Sequence, residues 1–102
     1  MAKKIEQMET IHHGGKDHYI ITVGKKVYFQ SYRTLIAIVN NGRITLNRHY
    51  WDFSKTTAAY RNRFLGMTTK EVENGIANHV IKLRVLDSSV LRDLNPDYFW
   101  RK

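Results

Sequence analysis

At 102 residues, 42% of them hydrophobic and 25% charged, with six glycines, one proline and no cysteine, the chain has the composition of one globular domain. No disulfide framework or thiolate metal site is possible, and no window approaches the ~18 consecutive apolar residues of a membrane span. Seventeen Lys and Arg against nine Asp and Glu give a net charge of +8, a field that concentrates anions.

Residues 1–4 read as a frayed start, and the absence of an apolar run after them argues against a secretory signal and for a cytoplasmic protein. A strand is expected over about 7–13, ending at a hairpin turn in Gly14-Gly15-Lys16-Asp17. Residues 18–23 are β-branched and aromatic, with Tyr19, Ile21 and Val23 on one face. Gly24-Lys25 makes a short turn into a strand over 26–30, and Ser31-Tyr32-Arg33 reads as a corner. Residues 34–39 are nearly all apolar, which marks a strand covered on both faces. Asn41-Gly42 then supplies the two positive-φ positions of a type I′ hairpin, and 43–46 return with Ile44 and Leu46 inward.

At residues 50–54 the period changes from two to helical. Ser54 or Asp52 can cap a helix whose buried stripe is Thr57, Tyr60, Phe64 and Leu65, with Lys55, Arg61, Asn62 and Arg63 on the wet side and Gly66 as its stop. Thr68-Thr69-Lys70-Glu71 spells a capping box for a second helix that buries Val72 and Ile76. Strand alternation resumes over 80–86, with Lys82 and Arg84 on one side, a pattern that guards a sheet edge. A last short turn runs to Asn95-Pro96. The expected fold is α+β: a five-stranded antiparallel meander, two helices packed on one face, and a final strand returning to the sheet. It is a single domain over 1–102, with a folded core at 5–94 and an aromatic, basic tail at 95–102.

Between His18 and Lys70 stand nine basic residues and one acid, Asp52, so that stretch carries the whole net charge. Lys25, Lys26, Arg33, Arg43, Arg48, Arg61 and Arg63 are the expected contacts to nucleic acid or another anion, arriving from hairpin tips and the exposed face of the first helix. Tyr98, Phe99 and Trp100 are too apolar for a free end and are the expected partner anchors. The five histidines show no metal-ligand spacing, and no P-loop, dinucleotide or Gly-x-Ser-x-Gly pattern appears. No catalytic residue, metal or cofactor is therefore assigned. Asp52, beside Trp51 and His49, is read as a helix cap rather than a catalytic acid.

The runs Ser31-Tyr32-Arg33-Thr34-Leu35-Ile36-Ala37, Tyr50-Trp51-Asp52-Phe53-Ser54-Lys55-Thr56-Thr57 and Tyr60-Arg61-Asn62-Arg63-Phe64-Leu65-Gly66 together resemble a family of small bacteriophage proteins. These share a Ser-Tyr-x-Thr-x-Ile-Ala strand, a Trp-Asp-aromatic-Ser-x-Thr-Thr switch and a helix ending in Phe-Leu. The resemblance covers about 19–83 and departs beyond Leu86 and at Asn78-His79. It implies a phage origin, with no catalytic residues to carry over, and turns the expectation towards two classes. One is an accessory protein that binds nucleic acid or a nucleoprotein in the host bacterial cytoplasm. The other is a non-catalytic inhibitor docking on an acidic host protein, such as a component of a defence system.

Overall fold

The computed structural model describes residues 3–9 and 17–100. The strands are β1 (Lys3–Gln7), β2 (His18–Val23), β3 (Lys26–Ser31), β4 (Thr34–Asn40) and β5 (Arg43–Asn47). Two helices follow, α1 (Lys55–Leu65) and α2 (Thr69–Ala77), then β6 (Ile81–Arg84). A 3₁₀ turn (Ser88–Val90) and two short helices, α3 (Leu91–Leu94) and α4 (Pro96–Trp100), end the described chain.

The five-stranded antiparallel meander does not describe this sheet. It has six strands in the order β1 to β6 and is mixed, because β6 runs parallel to β5. Residue alternation reports which face a side chain takes but not the direction of its strand. Direction here follows from the connection: a two-helix excursion is long enough for a crossover, whereas β2 to β5 are joined by two-residue turns that only antiparallel neighbours allow. The first strand occupies Lys3–Gln7, pairing Ile5 with Ile21, and so begins earlier than the strand expected over about 7–13, of which residues 10–13 lie outside the described residues. The proposed turn at 14–16 lies outside the described residues.

Local chemistry places the other elements. Asn41 (φ 54°) and Gly42 (φ 84°) both take positive φ, as a type I′ turn demands. Ser54, not Asp52, caps α1, accepting from the Thr57 N–H at 3.1 Å. The capping box of α2 is complete: Glu71 N–H donates to Thr68 Oγ1 at 3.1 Å, and Thr68 N–H donates to Glu71 Oε1 at 2.8 Å.

The sheet is covered on both faces. On the first, α1 and α2 bring Tyr60, Val72 and Ile76 onto Ile20, Phe29, Ala37, Leu46 and Ile81. On the second, Leu91 and Leu94 pack with Ile21, Leu35, Tyr28 and Ile38. Between Phe29 and Gln30 the register with β4 shifts, so Ala37 faces Phe29 but Leu35 faces Gln30. This bulge at Ile36 turns Leu35 onto the second face. Side chains satisfy its backbone, since Leu35 N–H donates to Ser88 Oγ at 2.9 Å and Leu35 C=O accepts from Asn47 Nδ2 at 2.8 Å. At the head of the segment expected as a tail, Asn95 is buried and donates to Gln30 Oε1 at 3.0 Å.

Candidate nucleic-acid interface

Two of the three tight turns that carry basic residues, at Lys25 and at Gly42-Arg43, lie at one end of the sheet, because Lys26 pairs with Asn40 and Asn40 with Arg43. β6 begins at that same end, with Ile81 beside Ile44 and Lys82 beside Thr45. Directly paired residues share a face and alternate residues return to it. Lys26, Tyr28, Asn40, Arg43, Thr45, Lys82 and Arg84 therefore project to the second face, and Lys26 Nζ sits 5.8 Å from the Tyr28 ring centre.

Two open clefts flank β6. One, of about 400 Å³, is lined by Asn40, Arg43, Thr45, Val80, Lys82 and Arg84. The other, of about 500 Å³, runs between α2 and β6 and is lined by Arg48, Ile76, His79, Lys82 and Arg84. Arg48 is held beside β6 by its N–H, which donates to the Arg84 C=O at 2.8 Å. Among the described residues no acidic side chain lines either cleft. Lys82, Arg84 and His79 were not assigned from the sequence. The signal for Lys82 and Arg84 was the alternating basic face of 80–86, read there only as edge protection.

The seven cations named from the sequence separate. Lys25, Lys26 and Arg43 share the tip end with Lys82, and Arg48 joins Arg84. Arg33 is exposed at the opposite, β3–β4 end, and Arg63 is exposed in the last turn of α1. Arg61 is fully buried, which corrects its placement on the exposed face of α1 and removes it from any phosphate-contacting surface. It donates through Nη1 to the Trp51 C=O at 2.6 Å and through Nη2 to Asn62 Oδ1 at 2.9 Å, with its guanidinium 5.3 Å from the Trp51 ring centre. Burial pushes its pKa down and the Asp52 charge pushes it back up. Asp52, the lone acid of the basic stretch, thus faces Arg61 at 3.6 Å instead of capping α1.

Tyr98 packs edge-on against Tyr19, 5.4 Å between ring centres. Burial raises its pKa to about 12, helped by a hydrogen bond to Asp17. This ring is therefore engaged inside the domain; the side chains of Phe99 and Trp100 lie outside the described structure. His18 is buried in the core, stacked on Tyr60 at 3.7 Å. His12 and His13 lie outside the described residues, and among those described no group of three His, Cys, Asp or Glu is arranged to hold a metal ion. No described helix is long and apolar enough to cross a membrane.

A family model described as a family of unknown function, DUF8033, matches residues 3–78. No curated protein and no solved structure matches the chain.

Proposed function

The chain belongs to the family DUF8033, whose description assigns no activity, so from the geometry we propose that it binds nucleic acid electrostatically across the β5–β6 end of its sheet. The observation that carries this reading is the lining of the cleft beside β6, where Arg43, Lys82 and Arg84 converge without an acid. Lys25, Lys26 and Arg48 extend the same surface. The arrangement suits phosphates, which cationic side chains position without reading sequence. An accessory role in phage nucleic-acid metabolism, in the host cytoplasm, belongs to this proposal and draws on the motif resemblance.

Anisotropy titrations of labelled single- and double-stranded DNA and RNA from low to moderate salt test it. Affinity is expected to fall steeply with salt. The combined Arg43→Ala, Lys82→Ala, Arg84→Ala variant should lower the log–log slope by about 2, since each phosphate no longer neutralised removes roughly 0.7–0.9. Absence of binding to every nucleic acid at low salt, or an unaltered slope in the variant, overturns it. A second reading, docking on an acidic protein face, draws on Val80 and Val85, 72% and 68% exposed at the two ends of β6. On that reading Val80→Ser would weaken the complex while leaving the salt slope for nucleic acid untouched.

A further inference from the structure

Two segments far apart in sequence, the β3–β4 turn and the approach to α1, meet at a small cleft of about 220 Å³ that the electrostatic surface does not use. We infer that this cleft is a slot for one unstacked base of a single strand, an inference that rests on the chain being a nucleic-acid binder. Three aromatic rings form its rim and are open to solvent: Tyr32 at 49%, Tyr50 at 41% and Phe53 at 68%. The Tyr50 and Phe53 rings are 5.6 Å apart and tilted. Its floor is Ile36, Ser31 and Thr57, all buried. The volume lies below the ~300–1,000 Å³ typical of drug-sized ligand sites and suits a single planar ring.

The rim is held in advance. Tyr32 takes φ 55°, a left-handed conformation that costs a non-glycine residue on the order of 1 kcal/mol. It is fixed there by its N–H, which donates to the Asp17 C=O at 2.7 Å, and by its C=O, which accepts from Gln30 Nε2 at 2.6 Å. Strain of this kind persists where surrounding bonds over-determine it. The hydroxyls at the floor are committed to one another: Ser54 Oγ donates to Thr57 Oγ1 at 3.1 Å, and Thr57 Oγ1 is 3.4 Å from Ser31 Oγ. The slot therefore offers ring faces more than polar edges, and it takes any base with little preference of sequence.

Charge selects a base over an aromatic side chain of a protein. Arg33 follows Tyr32 and Lys55 follows Ser54, both exposed, while Arg48 stands two residues before Tyr50 and lines the cleft beside β6. The nearby acids are engaged, Asp52 with Arg61 and Asp17 with the Tyr98 hydroxyl. The turn at 48–50 thus joins the phosphate-contacting surface to the slot.

The test compares Tyr32→Gly and Phe53→Ser with the unaltered chain on three probes: an oligothymidylate, a duplex of equal length, and the same single strand with abasic sites. Each variant is expected to bind the oligothymidylate about tenfold or more weakly, and to bind the duplex and the abasic strand as the unaltered chain does. Glycine accepts φ 55° freely, which offsets loss of the edge-on contact between the Tyr32 and His18 rings at 5.4 Å, and urea unfolding of Tyr32→Gly, with binding compared where the variant is folded, separates loss of the ring from loss of the fold. An equal loss on all three probes, or none on the oligothymidylate, overturns the slot. If the unaltered chain binds no polymer, the reading of the preceding subsection fails. Amide shifts at 31–34 and 50–57 on titration with thymidine monophosphate then decide the slot separately: localised shifts support it, and their absence overturns it.

Discussion

Arg61 offers the sharpest separation between scaffold and interface. Replacing it with alanine removes a fully buried guanidinium from the Trp51 carbonyl at 2.6 Å, the Asn62 amide oxygen at 2.9 Å and the face of the Trp51 ring. Leaving the Trp51 carbonyl without its donor costs about 1–3 kcal/mol and the cavity left by so large a buried side chain about 2 kcal/mol or more, about 3–5 kcal/mol together, in a domain that has about 5–15 kcal/mol in all. The ion pair itself accounts for little of that, because the Asp52 carboxylate is 56% exposed and 3.6 Å away, so Asp52→Asn should cost about 0–1 kcal/mol. Urea denaturation followed by Trp fluorescence gives both values, and a thermal scan should show Arg61→Ala melting about 10 °C or more lower. Measured where it is still folded, the variant should keep the native salt slope for oligonucleotide binding. The reasoning fails if Arg61→Ala is nearly as stable as the native chain while its salt slope drops, or if Asp52→Asn costs as much as Arg61→Ala.

Gly75 of α2 faces Ile81 so closely that an added Cβ would stand 2.6 Å from Ile81 Cδ1 and 2.9 Å from Cγ1. The helix-propensity gain of ~1 kcal/mol is then outweighed by overpacking of about 1–3 kcal/mol, and Gly75→Ala should lower stability in urea. In an Ile81→Ala background the nearest remaining atom is Cβ at 3.7 Å, and the same change should stabilise; stabilisation in the native background would refute the close approach. The Tyr98 hydroxyl, with its pKa raised to about 12 from the usual 10, favours the folded state only while protonated. That contribution is complete below about pH 10 and is lost as pH rises towards 12, so stability should decline across this window and Tyr98→Phe should flatten the decline. An identical pH profile for the two chains would rule out this role.

The turns and caps were legible because single residues determine them. Asn41-Gly42 leaves few alternatives to a type I′ hairpin, and Thr68 with Glu71 specifies a helix start from side-chain reach alone. The burial of Arg61 was also written in the sequence: Thr57, Tyr60, Arg61 and Phe64 stand at i, i+3, i+4 and i+7, the full spacing of an inward stripe. Charge type overrode that spacing, though Asp52 and the carbonyl end of Trp51 stood ready to receive the guanidinium. Other features had no local signal. A bulge at Ile36 inside a nearly all-apolar strand changes no polarity pattern, and β1 over Lys3–Gln7 leaves all five of its residues exposed, so no inward alternation marked it. The aromatic slot was divided between two segments, and only the fold joins Tyr32 to Tyr50 and Phe53.

The direction of β6 has a consequence larger than its four residues. Parallel to β5, it ends with Arg84 beside Asn47, so the chain leaves the sheet at the end away from the hairpin tips. From there it crosses the second face where Leu35 lies turned by the bulge, and Ser88 and Leu91 close over that half. An antiparallel β6 would release the chain beside Arg43 instead. The C-terminal helices would then cover the tip end, and Lys26, Arg43 and Lys82 would lie beneath apolar side chains, where unpaired cations are costly. The basic cleft is open because the excursion through α1 and α2 returns its strand in parallel. A change that forced an antiparallel return would thus bury the proposed phosphate-contacting surface without altering any of its residues.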